Sequence, residues 1–179
     1  MLMNRIMGVF KLNVDTFEEI EADQGATGQA ALVVLIVALI AALGSGIGAS
    51  FTSSSFIGSF LSSLIGTFVG WIAWSFVTYF VGTTFFGGKS DMGQMLRVIG
   101  FAYAPQVLAI IPCIGWIVGA VWSLIAAFIA VRQGLDLDNT KAFLTIIIGF
   151  IAFVIVMAIA GVIFGVTALG FGALSGAFS

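Results

Sequence analysis

All fourteen charged residues of this 179-residue chain lie in three short patches, and the stretches between them are apolar. Residues 5–23 hold Arg5, Lys11, Asp15, Glu18, Glu19, Glu21 and Asp23; residues 89–97 hold Lys89, Asp91 and Arg97; residues 132–141 hold Arg132, Asp136, Asp138 and Lys141. With 61% of residues hydrophobic and 8% charged, a soluble domain of this size would lack a polar surface. A bilayer removes that requirement, because its hydrocarbon core of about 30 Å is crossed by roughly 20 apolar residues in a helix. Barrel strands alternate apolar and polar over about 10 residues. The apolar runs here are longer and continuous, which selects helices.

Each uncharged gap between patches must carry the chain across and back. The first gap fits spans at about 29–48 and 58–86, joined by a Ser/Gly/Phe loop at 49–57. The second fits spans at about 94–111 and 114–131, with Pro112-Cys113 at the turn, since Pro ends the preceding helix. A fifth span follows at about 142–164, and then a Gly-rich, uncharged tail. The expected fold is all-α: a polytopic integral membrane bundle of five transmembrane helices over residues 26–179, preceded by an amphipathic N-terminal segment over 1–25. This layout puts all six Lys and Arg on one side. The positive-inside rule then predicts a cytoplasmic N-terminus and an external C-terminus.

Within the N-terminal segment, Met3, Ile6, Met7 and Phe10 repeat at helical spacing. They predict a short helix lying in the membrane interface, with Arg5 and Lys11 facing lipid headgroups. Asp15-Thr-Phe-Glu18 reads as a capping box for a second short helix carrying Phe17 and Ile20 on one face. Residues 15–23 are acidic and no Ala-x-Ala site follows a short apolar run, so the first span reads as a retained anchor and not a signal peptide.

Catalytic chemistry has few candidates. The chain has no His and one Cys, which excludes Cys/His metal clusters and an internal disulfide. No nucleophile–base pair, phosphate-binding Gly loop or acidic metal cluster is visible. The expectation is a protein that is not an enzyme, with no cofactor, no metal and no nucleic-acid partner. Its partners are the lipid bilayer and unidentified proteins. Four Gly-xxx-Gly pairs (Gly44/Gly48, Gly66/Gly70, Gly115/Gly119, Gly161/Gly165) suit close helix packing inside the bundle and leave a homo-oligomer open.

The third span carries the most distinctive stretch. Arg97 lies near its inner end, where a charge is either a functional site or a snorkelling side chain. Asp91, Asp136 or Asp138 would be its partner in the first case. Gly100 and Ala104 form a small strip beside Tyr103 and Pro105. Pro105 frees the carbonyl of Phe101 for a donor from another span, with Thr78, Tyr79 and Thr83 the nearest in sequence. Ser75, Thr78 and Tyr79 share one face of the second span, which serves either a polar path or helix–helix hydrogen bonding.

At Gly100-Phe101-Ala-Tyr103-Ala-Pro105 the chain resembles the Yip family of Rab-interacting membrane proteins, in its prokaryotic branch. There a Gly, an aromatic and then a Pro sit in the third of five spans. Phe10-Lys-Leu-Asn-Val-Asp-Thr-Phe17 is similar to the prokaryotic entry segment, with Val14 at the position of an expected Pro. The acidic, aromatic Gly-Pro motif of eukaryotic members is absent, so Rab-type GTPase binding is not carried over. The resemblance implies a five-span protein of a prokaryotic cytoplasmic membrane whose eukaryotic relatives organise membranes and traffic. The leading expectation is a membrane scaffold or adaptor. A small-solute transporter or channel, or an accessory subunit of a larger complex, is the alternative.

Overall fold

The computed structural model describes residues 2–52, 54–111 and 114–177, with side chains as far as Val162. Its elements are α1 (Leu2–Phe10), α2 (Val14–Ala22), α3 (Ala26–Ser50), α4 (Phe56–Phe86), α5 (Met92–Ala102), a 3-10 helix η1 (Ala104–Ile110), α6 (Gly115–Gly134) and α7 (Asn139–Ala177). Among the described residues there is no strand. Among the described residues four helices are long and apolar enough to cross a membrane: α3, α4, α6 and α7, the last over Asn139–Val162.

Local chemistry explains most boundaries. The Ser55 hydroxyl accepts from the amide of Gly58 and opens α4, and Gly87 closes it in the left-handed region at φ 71°, where a residue without Cβ is not strained. Asp91 and Gln94 form a reciprocal capping box at the start of α5. Asp138 accepts from the amide of Lys141 in the first turn of α7. The cap expected at Asp15 falls elsewhere: Asn13 is the capping residue and accepts from the amide of Asp15 at 2.8 Å. Asp15 instead sits in the first turn of α2, where its charge meets the positive end of the helix dipole. The C-terminal glycines continue α7 as helix rather than leaving it as a tail. The Pro112-Cys113 turn lies outside the described residues.

The expected third span is divided. Pro105 has no amide hydrogen, and its ring would collide with the carbonyl one turn earlier, so α5 ends at Ala102 and the chain tightens into η1. The two pieces still run antiparallel to α6 along its length. Val98 and Met95 lie against Gly134, Pro105 against Gly119, and Leu108 against Gly115.

α3 packs on α4, α4 on α7, and α5 on α3, α4 and α6. α1 and α2 close over α5 and α6, and Val9, Phe17 and Ile20 are fully buried in the same core as Val98, Phe101 and Val131. The buried face of α1 is Arg5, Gly8 and Val9, while Met3 and Met7 of the predicted apolar stripe point outward, 66% and 51% exposed. The three charged patches meet at one end of the bundle. Lys89 donates its amide to the Leu135 carbonyl at 2.9 Å, Gln133 donates to Glu18 at 2.7 Å, and Gln94 donates to Glu21 at 3.0 Å.

Among the described residues, Gly115/Gly119 is the Gly-xxx-Gly pair that serves the close packing expected of all four, and Gly165 lies outside the described side chains. A Cβ on Gly119 would stand 2.9 Å from the Pro105 carbonyl oxygen, and one on Gly115 would overlap Leu108. Gly44, Gly48, Gly66, Gly70 and Gly161 have nothing within 4 Å of an added Cβ. Those positions face outward.

Candidate functional site

The most constrained polar chemistry of the molecule lies where α2 meets the ends of α3 and α5. Arg97, only 6% exposed, reaches the C-terminal turn of α2. Its Nε and Nη2 donate to the Glu21 carbonyl at 3.2 and 2.7 Å, and Nη1 contacts the Thr27 hydroxyl at 3.5 Å. A helix C-terminus carries unpaired carbonyls and a partial negative charge, which a guanidinium satisfies. Arg97 therefore neither snorkels to headgroups nor pairs with an aspartate. Asp91 and Asp138 are occupied as helix caps, and neither these nor Asp136 forms a salt bridge with it among the described residues.

Arg5 is the second buried guanidinium, at 3% exposure. It crosses from α1 to donate to Glu19 (2.9 and 3.1 Å), Asp23 (2.6 Å) and Gln29 (3.0 Å). The expected headgroup role of Arg5 is thus replaced by a bond set within the protein. These are charge-assisted bonds, stronger than bonds between neutral groups. The hydrogen bond from Arg5 holds Asp23 below the ordinary carboxylate range, with the Gly25 amide adding to it. Glu21 moves the other way. Burial pushes its carboxyl up to about 7, Asp136 adds like charge, and Arg97 opposes the rise.

The small strip of α5 sits at the centre of the bundle. A Cβ on Gly100 would be 2.9 Å from that of Ala30 and 3.1 Å from Trp71 Nε1, so α3 and α4 both approach here. The bond that joins α4 to α5 comes from Trp71, whose indole donates to the Leu96 carbonyl at 3.1 Å. The hydroxyls expected to reach the Phe101 carbonyl do not. Thr78 bonds to Trp74 and Ser75 carbonyls of its own helix, and Thr83 to Tyr79 and Phe80. Ser75 and Thr78 are fully buried, and Thr78 faces Gly149 of α7 rather than α5. Tyr79 is half-buried. Tyr103 caps α5 and Pro105 is buried at the head of η1.

Sequence reasoning gave Arg5 lipid headgroups in place of its carboxylates, and it missed the roles of Glu21, Gln29 and Trp71. A signal existed for the first: Arg5 is followed within twenty residues by five carboxylates, an excess that can neutralise a buried cation once α1 and α2 fold together. Among the described residues no group of three or more acidic or Cys side chains is placed to hold a metal ion.

No curated protein and no solved structure compared with the chain matches it. The comparison with protein families matches the Yip1 domain over residues 7–161. That match runs from within α1 to Gly161 of α7, taking in Arg97, the carboxylates that Arg5 meets and the α5–η1 break, and the chain belongs to the Yip1 domain family.

Proposed function

We propose that this membrane protein is a non-enzymatic scaffold that presents its α1–α2 hairpin as a docking platform at the membrane surface. The observation that carries the reading is the anchoring of that hairpin. Arg5 ties α1 to α2 and α3, and Arg97 ties the end of α2 to α5. The hairpin is thereby a fixed part of the bundle, and its outer stripe of Met3 and Met7 is left uncovered. Methionine is flexible and polarizable and suits adaptable apolar contacts, whether with lipid or with a protein partner. The Trp122 indole adds a tie, donating to the Phe10 carbonyl at 3.0 Å.

The proposed membrane arrangement has five crossings, the third made by α5 and η1 together. Eleven residues at 1.5 Å and seven at about 2 Å give about 30 Å, enough for the hydrocarbon core. The charged end carries every Lys and Arg and is placed in the cytoplasm, with the C-terminus outside. The membrane is a prokaryotic cytoplasmic membrane, following the resemblance of the entry segment.

Purification in mild detergent followed by mass spectrometry of co-purifying proteins tests the scaffold. The expected result is a stoichiometric protein partner that is lost from the double variant Met3→Ser/Met7→Ser while the bundle's melting temperature holds. Solute flux through liposomes containing the protein alone, without a partner, would favour a transporter.

A further inference from the structure

A cleft of about 690 Å³ opens between α6 and α7, floored by α5, η1 and α4. It borders the α5–η1 break at Tyr103 but includes neither arginine, and its occupant depends on the bundle being in a membrane but not on the hairpin binding a protein. Its wall is almost wholly apolar: Ile99, Ala127, Phe143, Ile147 and Phe150 are typical. Besides the indoles of Trp74 and Trp116, the polar side chains that interrupt that wall are Tyr103, Gln106 and Ser123. The Ser123 hydroxyl is buried and has no hydrogen-bond partner among the described residues. Tyr103 and Gln106 side chains likewise make no hydrogen bond among the described residues. Water cannot supply the missing bonds in hydrocarbon, where an unmet polar group is costly.

The position of the mouth selects the occupant. The lining on α7 runs from Phe143 to Phe153, about 15 Å at 1.5 Å per residue, a length that one extended hydrocarbon chain fills. The mouth lies between two helices that meet the length and apolarity of membrane spans, and its rim residues Leu124, Phe150 and Ile151 are exposed. It therefore opens sideways into the acyl chains of the bilayer. Trp116, at the end of α6 far from the charged patches, also lines the cleft, and indole rings favour the membrane–water boundary.

We propose that this cleft binds one hydrocarbon chain of a membrane phospholipid. The chain runs along α7 toward Phe143. The oxygens of the glycerol linkage, which are acceptors only, face the donors of Gln106 and Tyr103 near the Trp116 end, and Ser123 lies one step deeper. The lipid completes the seam that the protein leaves open between α6 and α7.

Native mass spectrometry of the full chain in detergent, with phosphatidylglycerol titrated in, tests the assignment. One phospholipid per chain is expected to survive activation that strips weakly held lipid. Ala127→Phe fills the cleft and should lower retention about tenfold or more. Ser123→Ala, which removes a hydroxyl without adding bulk, should lower it about three- to fivefold with the melting temperature unchanged. Retention equal to wild type in both variants would overturn the proposal. So would a wild-type chain that holds no phospholipid, or a lipid-free dimer that Ala127→Phe converts to monomer.

Discussion

Arg97 and Arg5 solve the same problem by different means. A buried guanidinium needs several acceptors, because removing a partner from a buried charge costs about 3–5 kcal/mol. Arg5 finds carboxylates and an amide oxygen; Arg97 finds the carbonyl end of a helix. The planar fork suits both, and a lysine could not donate along two directions to one carbonyl. Glu21 sits between them in function, with its carbonyl taken by Arg97 and its carboxylate by Gln94. Its carboxyl titrates near 7 in the fold against an ordinary 4.5. A raised carboxyl holds a proton that the unfolded chain has released, so stability is full below the lower value and falls as pH rises through the upper one. The melting temperature in detergent should therefore drop between pH 5 and pH 8. Glu21 is partly exposed, and solvent screening limits the effect to about 1 kcal/mol, or about 2–4 °C. Asp23, held low by Arg5, loses its contribution only as pH falls below its ordinary 3.8, outside that window. Glu21→Gln should flatten the slope; a slope unchanged in that variant would place the titrating group elsewhere.

The α5–η1 element shows how one strip of small residues sets the spacing of a bundle. Gly100 meets Ala30 and Trp71 at contacts too short for a Cβ, whereas Gly44 on α3 meets nothing. In lipid no hydrophobic force drives helices together, so close approach of backbones and dispersion contacts carry the association. Gly100→Leu must push α3 or α4 away and should lower the melting temperature by about 5 °C or more, following overpacking costs of about 1–3 kcal/mol. Gly44→Leu should shift it by less than about 1–2 °C, since exposed substitutions stay within about 0.5 kcal/mol. Equal shifts in the two variants would mean that Gly100 does not face a neighbouring helix. Pro105 divides this same element, and the division directs Gly100 inward on α5 while η1 lies against the Gly115/Gly119 face of α6.

For the molecule as a whole, sidedness is the property that charge and structure share. The 87–91 loop and the 135–138 turn are joined by a backbone bond, and Glu18 and Glu21 of α2 bond to side chains of α6 and α5 at the same end. The Ser55 loop lies at the far end of α3 and α4. In intact cells, with Cys113→Ser as background, a cysteine at Ser54 should label with an impermeant reagent and cysteines at Ser90 and Asp138 should not. Labelling of Ser54 together with Asp138 would mean that α7 and the α3–α4 loop share a face, and the five-crossing arrangement would be wrong.

Much of this was determined by the sequence alone. Continuous apolar runs between charge patches can satisfy their backbone groups only as helices in lipid, so the positions of α3, α4, α6 and the start of α7 follow from composition along the chain. Gly100, Tyr103 and Pro105 stand out for the same reason: small, aromatic and helix-breaking residues are few in a stretch that is otherwise interchangeable. Contacts between distant residues were not legible. Whether Arg97 meets a headgroup, an aspartate or a carbonyl depends on where α2 ends in space, 76 residues away in sequence. The rotation of α1 was equally hidden, because Arg5, buried among carboxylates, turns its own face toward the bundle and leaves Met3 and Met7 outward. Which Gly-xxx-Gly pair packs and which faces outward was likewise decided only in the tertiary structure. Spacing places two glycines on one face of a helix, and only the neighbouring helices decide what that face meets.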